Sequence, residues 1–238
     1  MAAPPPSPQP FPPLPDPAPG RSLRPRAVTM VPGGVWKALC TAVAVSVGAE
    51  LLFRYWRRQR KAVKEALFFP VPVSCMEGIL SPGLRCMCPL PHTDTDSALH
   101  RLMRRLLEAR RSVELCIFAF SYPPLGQAVL LLHQRGVRVR VITDRDYMAA
   151  SGSQIGALRK AGIVVRHSQS SGLMHHKFVV VDKKFVITGS MNWTMQAMQA
   201  NKENLLMTDD RVFVSAYLEE FERLWEEFDP ATYDFFPE

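Results

Sequence analysis

The sequence predicts an α/β domain built on a mixed, largely parallel β-sheet flanked by helices on both faces, preceded by one N-terminal transmembrane helix. Three observations lead to this prediction. From residue 112 onward, short apolar runs alternate with helical patterns, as is typical of strands covered by helices. An apolar run near the N-terminus is followed directly by basic residues. One polar motif, residues 175–194, surrounds two of the predicted strands.

The chain has 238 residues and a formal net charge of +7, but this charge is spread unevenly. Residues 1–65 hold ten Lys and Arg against three Asp and Glu, which leaves 19 of each in residues 66–238. Within that part, residues 66–208 carry 17 basic and 9 acidic side chains, and residues 209–238 carry 2 and 10. This segregation argues against a uniformly basic nucleic-acid coat but permits a local anion-attracting face. Five scattered cysteines argue against a secreted disulfide scaffold and fit a reducing compartment.

The N-terminal part divides into three predicted segments. Residues 1–33 hold twelve of the 21 prolines and are predicted to be disordered, because they cannot build a core. Residues 34–56 are predicted to be a transmembrane anchor, with 16 residues between Lys37 and Arg54. Residues 57–65 form a basic juxtamembrane linker, and the positive-inside rule places that side in the cytosol. A cleaved secretory signal and a buried amphipathic helix are the alternative interpretations.

The main domain, residues 66–238, has an amphipathic helix in the stretch DTDSALHRLMRRLLEARRS. Acidic residues at its start are candidate caps. One face collects four apolar residues at the i, i+3, i+4, i+7 spacing, namely Leu99, Leu102, Met103 and Leu106. The arginines lie outside, where they form either a solvated face or a rim that attracts phosphate.

Strands and helices then alternate along the chain. VELCIFAF is a buried strand, PLGQAVLLLHQRG a helix that closes on Gly136, and VRVRVIT a strand. SQIGALRKAG is a helix that ends at Gly162, and IVVRH is a strand. HKFVVVD and KFVITG are two strands joined by a turn at residues 182–184, and NLLMT is another strand. The terminal helix RVFVSAYLEEFERLWEEF is predicted to turn five side chains inward: Phe213, Tyr217, Phe221, Leu224 and Phe228.

Residues 175–194, HHKFVVVDKKFVITGSMNWT, carry the central motif. His175 and Lys177 are two apart on a predicted strand, so both side chains leave the same face. His176 points the other way and is interpreted as a packing neighbour.

A tight turn at Gly189 lets Ser190 and Asn192 present a hydroxyl and an amide at the same sheet end. An imidazole, an ammonium, a hydroxyl and an amide together suit a phosphodiester, which needs a nucleophile and several hydrogen-bond donors. A His/Lys pair on an exposed strand end is the alternative, and the fixed spacing of six residues disfavours it.

A second cluster reads C-x10-C-x-C-x3-H and consists of Cys75, Cys86, Cys88 and His92. Three thiolates and one imidazole satisfy a tetrahedral structural zinc site. The C-x-C spacing differs from the common C-x2-C, so unpaired thiols near a Pro-rich loop remain the alternative. Cys40 and Cys116 are interpreted as packing residues.

The spacing His175-x-Lys177-x4-Asp182-x6-Gly189-Ser190-x-Asn192 resembles the HKD signature of the phospholipase D superfamily. The stretches ITGSMNWT, CIFAFSYPPLGQAV and LLHQRGVRVRVITDRDYM are more narrowly similar to its mitochondrial phospholipase D, or Zucchini, branch. The resemblance covers essentially residues 66–238 and implies a phospholipase D-like fold with a single HKD half-site. It also implies a single-pass anchor in the mitochondrial outer membrane, with the catalytic domain facing the cytosol.

The resemblance implies catalysis in which His175 attacks phosphorus and forms a phosphohistidine. A second histidine protonates the leaving oxygen and then activates water. The other histidines lack a lysine at i+2, so the second one is expected to be His175 of another subunit in a homodimer.

The resemblance implies a role for each remaining motif residue. The phosphate would be held by Lys177, Ser190 and Asn192. Glu203 would orient His175. Asp182 belongs to the catalytic motif, but it is expected to fix the turn rather than to shuttle protons. Catalysis needs no metal, whereas the branch carries a zinc-binding insertion, here residues 75–92, which favours structural zinc.

Three functions remain in competition. The first is hydrolysis of cardiolipin in a membrane to phosphatidic acid. The second is endonuclease action on single-stranded RNA, as in the maturation of PIWI-interacting RNAs, with proteins of that pathway as partners. The basic stretch between Arg101 and Arg166 favours RNA. The third is a non-enzymatic adaptor that dimerises to tether mitochondria, and the intact motif argues against it.

Overall fold

The computed structural model describes residues 33–59, 63–83, 85–92, 96–169 and 171–232. The chain divides into two units, residues 1–60 and residues 61–238. The predicted disordered extension, residues 1–33, lies outside the described residues except for Gly33. Arg60 and Lys61 of the predicted basic linker also lie outside them.

Helix α1, Gly33–Gln59, is the described part of the first unit. Its 27 residues extend over about 40 Å, which exceeds the ~30 Å of a bilayer's hydrocarbon core. The window Trp36–Phe53 has a mean hydropathy of 1.5, and none of it is buried within the protein. The Ser46 hydroxyl in this window donates to the Ala42 carbonyl at 2.9 Å, so its polar group is satisfied inside the helix. Length and composition make α1 a candidate membrane span.

The second unit is built on a seven-stranded sheet. Its strands are β1 Lys64–Phe69, β2 Ser112–Ile117, β3 Arg138–Thr143, β4 Val164–His167, β5 Lys177–Val181, β6 Phe185–Gly189 and β7 Glu203–Thr208. Their order across the sheet is β1-β7-β6-β5-β2-β3-β4. Strand β1 begins two residues before the predicted domain boundary at 66 and pairs with β7 along its whole length.

The sheet is mixed as predicted, but the prediction that it is largely parallel is wrong. Only the pairs β2-β3 and β3-β4 are parallel. The pairs β1-β7, β7-β6, β6-β5 and β5-β2 are antiparallel. A helix returns the chain between the parallel strands, whereas a tight turn joins β5 to β6 and therefore reverses the chain direction.

Helices cover both faces of the sheet, which confirms the predicted architecture. One face packs against α2 Glu77–Leu80, α3 Ala98–Leu107, α4 Pro123–Gln134, α5 Ile155–Lys160 and α6 Met195–Gln199. The opposite face packs against α7 Arg211–Glu227. Successive side chains of β5 point to opposite faces of the sheet. Val179 and Val181 pack in the core under α2–α6, and Phe178 and Val180 pack in the core under α7.

Two helices differ in detail from their predictions. Ser97, rather than an acidic residue, caps α3, because its hydroxyl accepts the His100 N–H. The predicted inward position of Phe213 on α7 is wrong, since this side chain is 51% exposed. Val214 is buried in its place, because two helical turns back from Phe221 lead to residue 214.

An ion network holds α7 against the sheet. Arg140 on β3 donates two hydrogen bonds to Glu222 of α7, at 2.6 and 2.7 Å. Its guanidinium also lies over the rings of Phe221 and Trp225. Glu114 of β2, which has no exposed side-chain area, lies 3.4 Å from the same guanidinium. The guanidinium therefore compensates the charge of the buried Glu114 carboxylate and, at the same time, holds α7 against the sheet through Glu222.

Replacing Arg140 with methionine should lower the free energy of unfolding by about 3 kcal/mol, because both Glu114 and Glu222 lose the guanidinium, although Glu114 keeps Arg138 and the Ser112 hydroxyl. The full chain in detergent would be melted and followed by near-UV circular dichroism. The matched control is Arg159→Met on the exposed side of α5, which should change stability by less than ~0.5 kcal/mol. Equal melting temperatures for the two variants would contradict this role of Arg140.

Candidate active site

His175 and Lys177 form the centre of the site. Strand β5 begins at Lys177, so His175 lies in the segment that leads into the strand. The two side chains meet as predicted, with Lys177 Nζ 3.0 Å from the His175 ring nitrogens and 2.7 Å from the His175 carbonyl oxygen. His176 turns to the other face, as predicted, and its Nε2 lies 3.3 Å from Glu220 of α7.

The electrostatic surroundings favour a neutral imidazole at position 175. Burial and then the charges of Lys177 and His176 lower the pKa of His175, while the charge of Asp144 opposes this shift. Burial also lowers the pKa of Lys177, and the Glu203 carboxylate opposes that change. An imidazole with a lowered pKa keeps its lone pair free at neutral pH. His175 is therefore chemically suited to act as a nucleophile.

An aromatic pair lies beside this imidazole. Phe118, directly after β2, approaches the His175 ring edge-on with the centroids 4.6 Å apart. The Lys177 ammonium lies 5.1 Å from the centroid of the same Phe118 ring. Tyr147, after β3, packs against Phe118 at 4.0 Å and is still 44% exposed. Neither ring is predicted from the sequence. The signal that could have found them is that each follows the carboxyl end of a parallel strand, where binding sites of such sheets commonly lie.

The turn after β6 brings the predicted phosphate-binding residues to the same edge. A side chain at Gly189 would place its Cβ 2.1 Å from the Asn204 carbonyl oxygen, so only glycine fits the β6-β7 approach. The Ser190 hydroxyl donates to Glu203 and accepts the Asn204 N–H at 3.2 Å. Asn192 has a buried side-chain oxygen that accepts no hydrogen bond from the described residues.

Glu203 does not make the predicted contact with His175. One carboxylate oxygen accepts from Ser190, and the other accepts from the Asn201 amide at 3.0 Å. Its charge acts instead on Lys177, whose protonated form it favours. The carboxylate therefore fixes Ser190 and supports the ammonium, while the acidic group that acts electrostatically on His175 is Asp144.

Asp182 lies at the far end of β5 and is not brought to the other motif residues. Five residues of extended strand, or about 16 Å, separate it from Lys177. Its carboxylate accepts the backbone N–H groups of Arg110, Arg111 and Ser112 at 2.7 to 3.1 Å. With positive φ angles at Asp182 and Lys183, the residue shapes the β5-β6 turn and fastens it to the start of β2. This geometry supports the structural role expected for it and no contact with the phosphate.

Cys75, Cys86, Cys88 and His92 come together in space, with their ligand atoms within 4.8 Å of one another. The Cys75 and Cys86 sulfurs are 3.6 Å apart, close to the ~3.7 Å that tetrahedral Zn–S bonds of ~2.3 Å require. Cys88 Sγ lies 3.7 Å from His92 Nε2. Hydrogen bonds from His92, and then from Cys88 and Cys75, lower the pKa of Cys86 to about 7, which favours the thiolate that binds metal. Despite a hydrogen bond from Leu90, the contact with Cys86 and burial raise the pKa of Cys88 to about 11, so one thiolate forms more readily than the other. The residues present therefore fit a closed four-ligand zinc site.

A histidine–lysine pair at the beginning of the central strand β5, with serine and asparagine in the connection after β6, defines a phosphodiesterase of the phospholipase D type. The family model described as "Cardiolipin synthase, PLD-like domain" matches residues 102–225. The chain is 64% identical over 205 residues to the mitochondrial cardiolipin hydrolase of Xenopus tropicalis, covering 86% of this chain and 96% of the relative. It is 57% identical over 212 residues to that of Homo sapiens, covering 84% and 83%.

The solved structures agree with this fold. Nuc from Salmonella typhimurium, a phospholipase D family member, is similar with a TM-score of 0.54 at 20% identity, over 70% of this chain and 95% of that one. The chain belongs to the phospholipase D family, within the group of the mitochondrial cardiolipin hydrolases.

We expect the purified full chain to contain about one zinc ion per chain, measured by inductively coupled plasma mass spectrometry. Cys88→Ser should lose the zinc and lower the melting temperature by several degrees, since a structural metal contributes directly to folding. Cys40→Ser, in α1 and outside the cluster, is the control and should keep the zinc. A well-folded chain without zinc would contradict the site.

Proposed function

We propose that the chain hydrolyses cardiolipin to phosphatidic acid, with His175 as the nucleophile in a site that two chains complete. The observation that carries this proposal is the contact between the Lys177 ammonium and the His175 ring at 3.0 Å, in surroundings whose burial lowers the pKa of His175. The names of the relatives supply the substrate, since they are called mitochondrial cardiolipin hydrolases.

The reaction runs in two displacements. A ring nitrogen of His175 attacks phosphorus and forms a P–N bond while the bond to the leaving alcohol oxygen breaks. A protonated second histidine gives its proton to that oxygen and becomes neutral. It then takes a proton from water, whose oxygen attacks phosphorus and breaks the P–N bond, which releases phosphatidic acid and restores both histidines.

Neighbouring side chains stabilise the charge on the phosphate. Lys177 supplies an ammonium directly beside the attacking ring. From the connection after β6, Asn192 offers its amide N–H groups, and Ser190 can turn its one hydroxyl proton from Glu203 to the phosphate. Glu203 keeps Ser190 in place and favours the charged form of Lys177. These groups bind and orient the phosphate without a metal ion.

In this proposal the second histidine comes from another chain. Of the other five histidines, His92 lies in the cysteine cluster, and His100 is buried on α3. His133 and His167 are bonded to backbone carbonyls of Ala161 and Ser168. His176 lies beside His175 but faces Glu220 on the opposite side of the strand. A two-fold homodimer that apposes the two His175 edges supplies the missing imidazole.

The proposed location is the mitochondrial outer membrane, with α1 as a single-pass anchor and the catalytic domain in the cytosol. The length and apolar composition of α1 support an anchor. Basic residues that follow the apolar window support the cytosolic orientation. The names of the relatives support the organelle.

His175→Asn should reduce phosphatidic acid release from cardiolipin vesicles by about a thousand-fold or more, because it removes both the nucleophile and the acid–base group. Release would be measured by mass spectrometry with the full chain in detergent. His176→Asn is the matched control and should keep most of the activity, since His176 faces α7. Equal activity of the two variants would contradict the assignment of His175, whereas an unaltered chain that releases no phosphatidic acid would favour the non-enzymatic tether.

A second candidate substrate, single-stranded RNA, is favoured by the exposed Tyr147 ring. The Tyr147 ring packs against Phe118, and Phe118 in turn packs against the His175 ring. A nucleobase next to the scissile phosphate can stack on such a ring, whereas the glycerol headgroup of cardiolipin offers no ring. RNA cleavage by this route is the activity that PIWI-interacting RNA maturation requires, and proteins of that pathway would then be partners.

If RNA is a substrate, Tyr147→Leu should raise its KM about ten-fold, because a base loses its stacking partner while the apolar contact with Phe118 is kept. Tyr147→Phe, which keeps the ring, should stay within about two-fold of the unaltered chain. Cleavage of a labelled oligonucleotide would be measured beside cardiolipin hydrolysis, for which KM should be equal in all three proteins. Identical KM values for the leucine and phenylalanine variants would contradict a stacked base.

A further inference from the structure

The carboxylate of Asp144 is buried at the end of β3, with only 2% of the residue exposed. Three backbone N–H groups donate to it. The Met174 N–H donates to Oδ2 at 3.1 Å, and those of Asp146 and Tyr147 donate to Oδ1 at 3.0 and 3.3 Å. Burying a carboxylate is costly unless such bonds compensate it, so an arrangement of this kind indicates that the geometry it enforces is needed.

The hydrogen bond from the Met174 N–H to Asp144 fixes the residue directly before His175. Residues 173–176 have no regular secondary structure, and Leu173 is 61% exposed. Met174 is fixed on the N-terminal side of His175, because its N–H donates to Asp144 and its sulfur packs 3.3 Å from buried Cys116. On the C-terminal side, the Phe118 N–H donates to the His176 carbonyl at 3.0 Å. The bond between Asp144 and Met174 therefore supplies one of the two backbone restraints on either side of His175.

The other two bonds act on the segment that supports the His175 ring. The Tyr147 N–H is held by Asp144, and the Tyr147 ring packs on Phe118, which contacts the His175 ring. One carboxylate thus fixes the imidazole from the backbone side and from the ring side.

The charge of Asp144 also reaches the imidazole. The ionisable groups that act on His175 are Lys177 and His176, which lower its pKa together with burial, and Asp144, which opposes them. Removing the negative charge should therefore lower the pKa of His175 further, so that the neutral ring persists to lower pH.

We propose that Asp144 is a positioning residue for the nucleophile, and this inference rests on the proposed role of His175. Asp144 fixes the segment before His175 and the rings beside it, so that the imidazole nitrogen meets the phosphorus at the right distance. The residue touches neither the phosphate nor the leaving group. It should therefore affect kcat far more than KM.

The test is the turnover of bis(4-nitrophenyl) phosphate, a small diester that reports on the chemistry at His175 without a lipid or a base. Asp144→Asn keeps the shape but places an amide N–H against one of the three backbone donors. We expect kcat to fall about 10- to 100-fold, KM to change less than about three-fold, and the acid limb of the kcat/KM profile to move to lower pH. Asp146→Asn, an exposed neighbour with the same loss of charge, is the control and should leave kcat, KM and the acid limb unchanged.

A melting curve accompanies each protein. If Asp144→Asn does not fold, Asp144→Glu carries the test, because it keeps the charge and displaces the oxygens; kcat should fall while the acid limb stays in place. A folded variant with an unaltered kcat and acid limb would overturn the inference, and so would a fall in kcat with an unmoved acid limb in Asp144→Asn. His175→Asn, assayed in parallel, separates the two claims. If it stays active, the nucleophile itself is wrong, whereas if it is inactive beside a normal Asp144→Asn, only the positioning role fails.

Discussion

The antiparallel pairing of β5 with β2 is the constraint on which the rest of the structure depends. It brings the beginning of β5 to the edge where the parallel strands β2, β3 and β4 end. The antiparallel pairs that follow bring the end of β6 and the beginning of β7 to this same edge. Side chains from four connections therefore meet at one place, although Phe118 and Glu203 are 85 residues apart in the sequence. At the other edge, Asp182 ties the β5-β6 turn to the start of β2, so a motif residue far from the chemistry secures the register that makes the site.

The electrostatics of the site follow from the same arrangement. Strand periodicity places His175 and Lys177 on one side of the sheet and His176 on the other. The Lys177 ammonium is therefore the charged group next to the His175 imidazole, whereas Glu220 lies beside His176. Burial and that ammonium keep the ring neutral, and the two carboxylates act one on each partner, Glu203 on Lys177 and Asp144 on His175. The site thus places an imidazole with a lowered pKa 3.0 Å from an ammonium, so a nucleophile and a positive charge for an anionic phosphodiester lie side by side.

Sequence reasoning reached the parts of this structure that depend on local periodicity and failed where long-range pairing decides. The i, i+2 relation of His175 and Lys177, the buried face of α3 and the closing glycines of α4 and α5 are local, and all could be predicted. Strand direction is not encoded in the alternation of apolar residues, which explains the error of a largely parallel sheet. The predicted inward position of Phe213 on α7 is wrong because Phe213 and Val214 are both apolar, and packing on the sheet selects Val214, whereas Phe221, Leu224 and Phe228 are buried as predicted. The partners of Glu203, and the roles of Asp144 and Phe118, depend on contacts between distant segments.

In the proposed active site, one chain holds half of the catalytic groups and His175 of a second chain completes them. This shared site is tested most directly by mixing unaltered and His175→Asn chains in equal amounts, allowing the subunits to exchange, and measuring activity against the same total amount of unaltered protein. If both histidines are needed, only dimers of two unaltered chains work, and the activity falls to about a quarter. If each chain works alone, the activity falls only to about half, and this result would contradict the shared site.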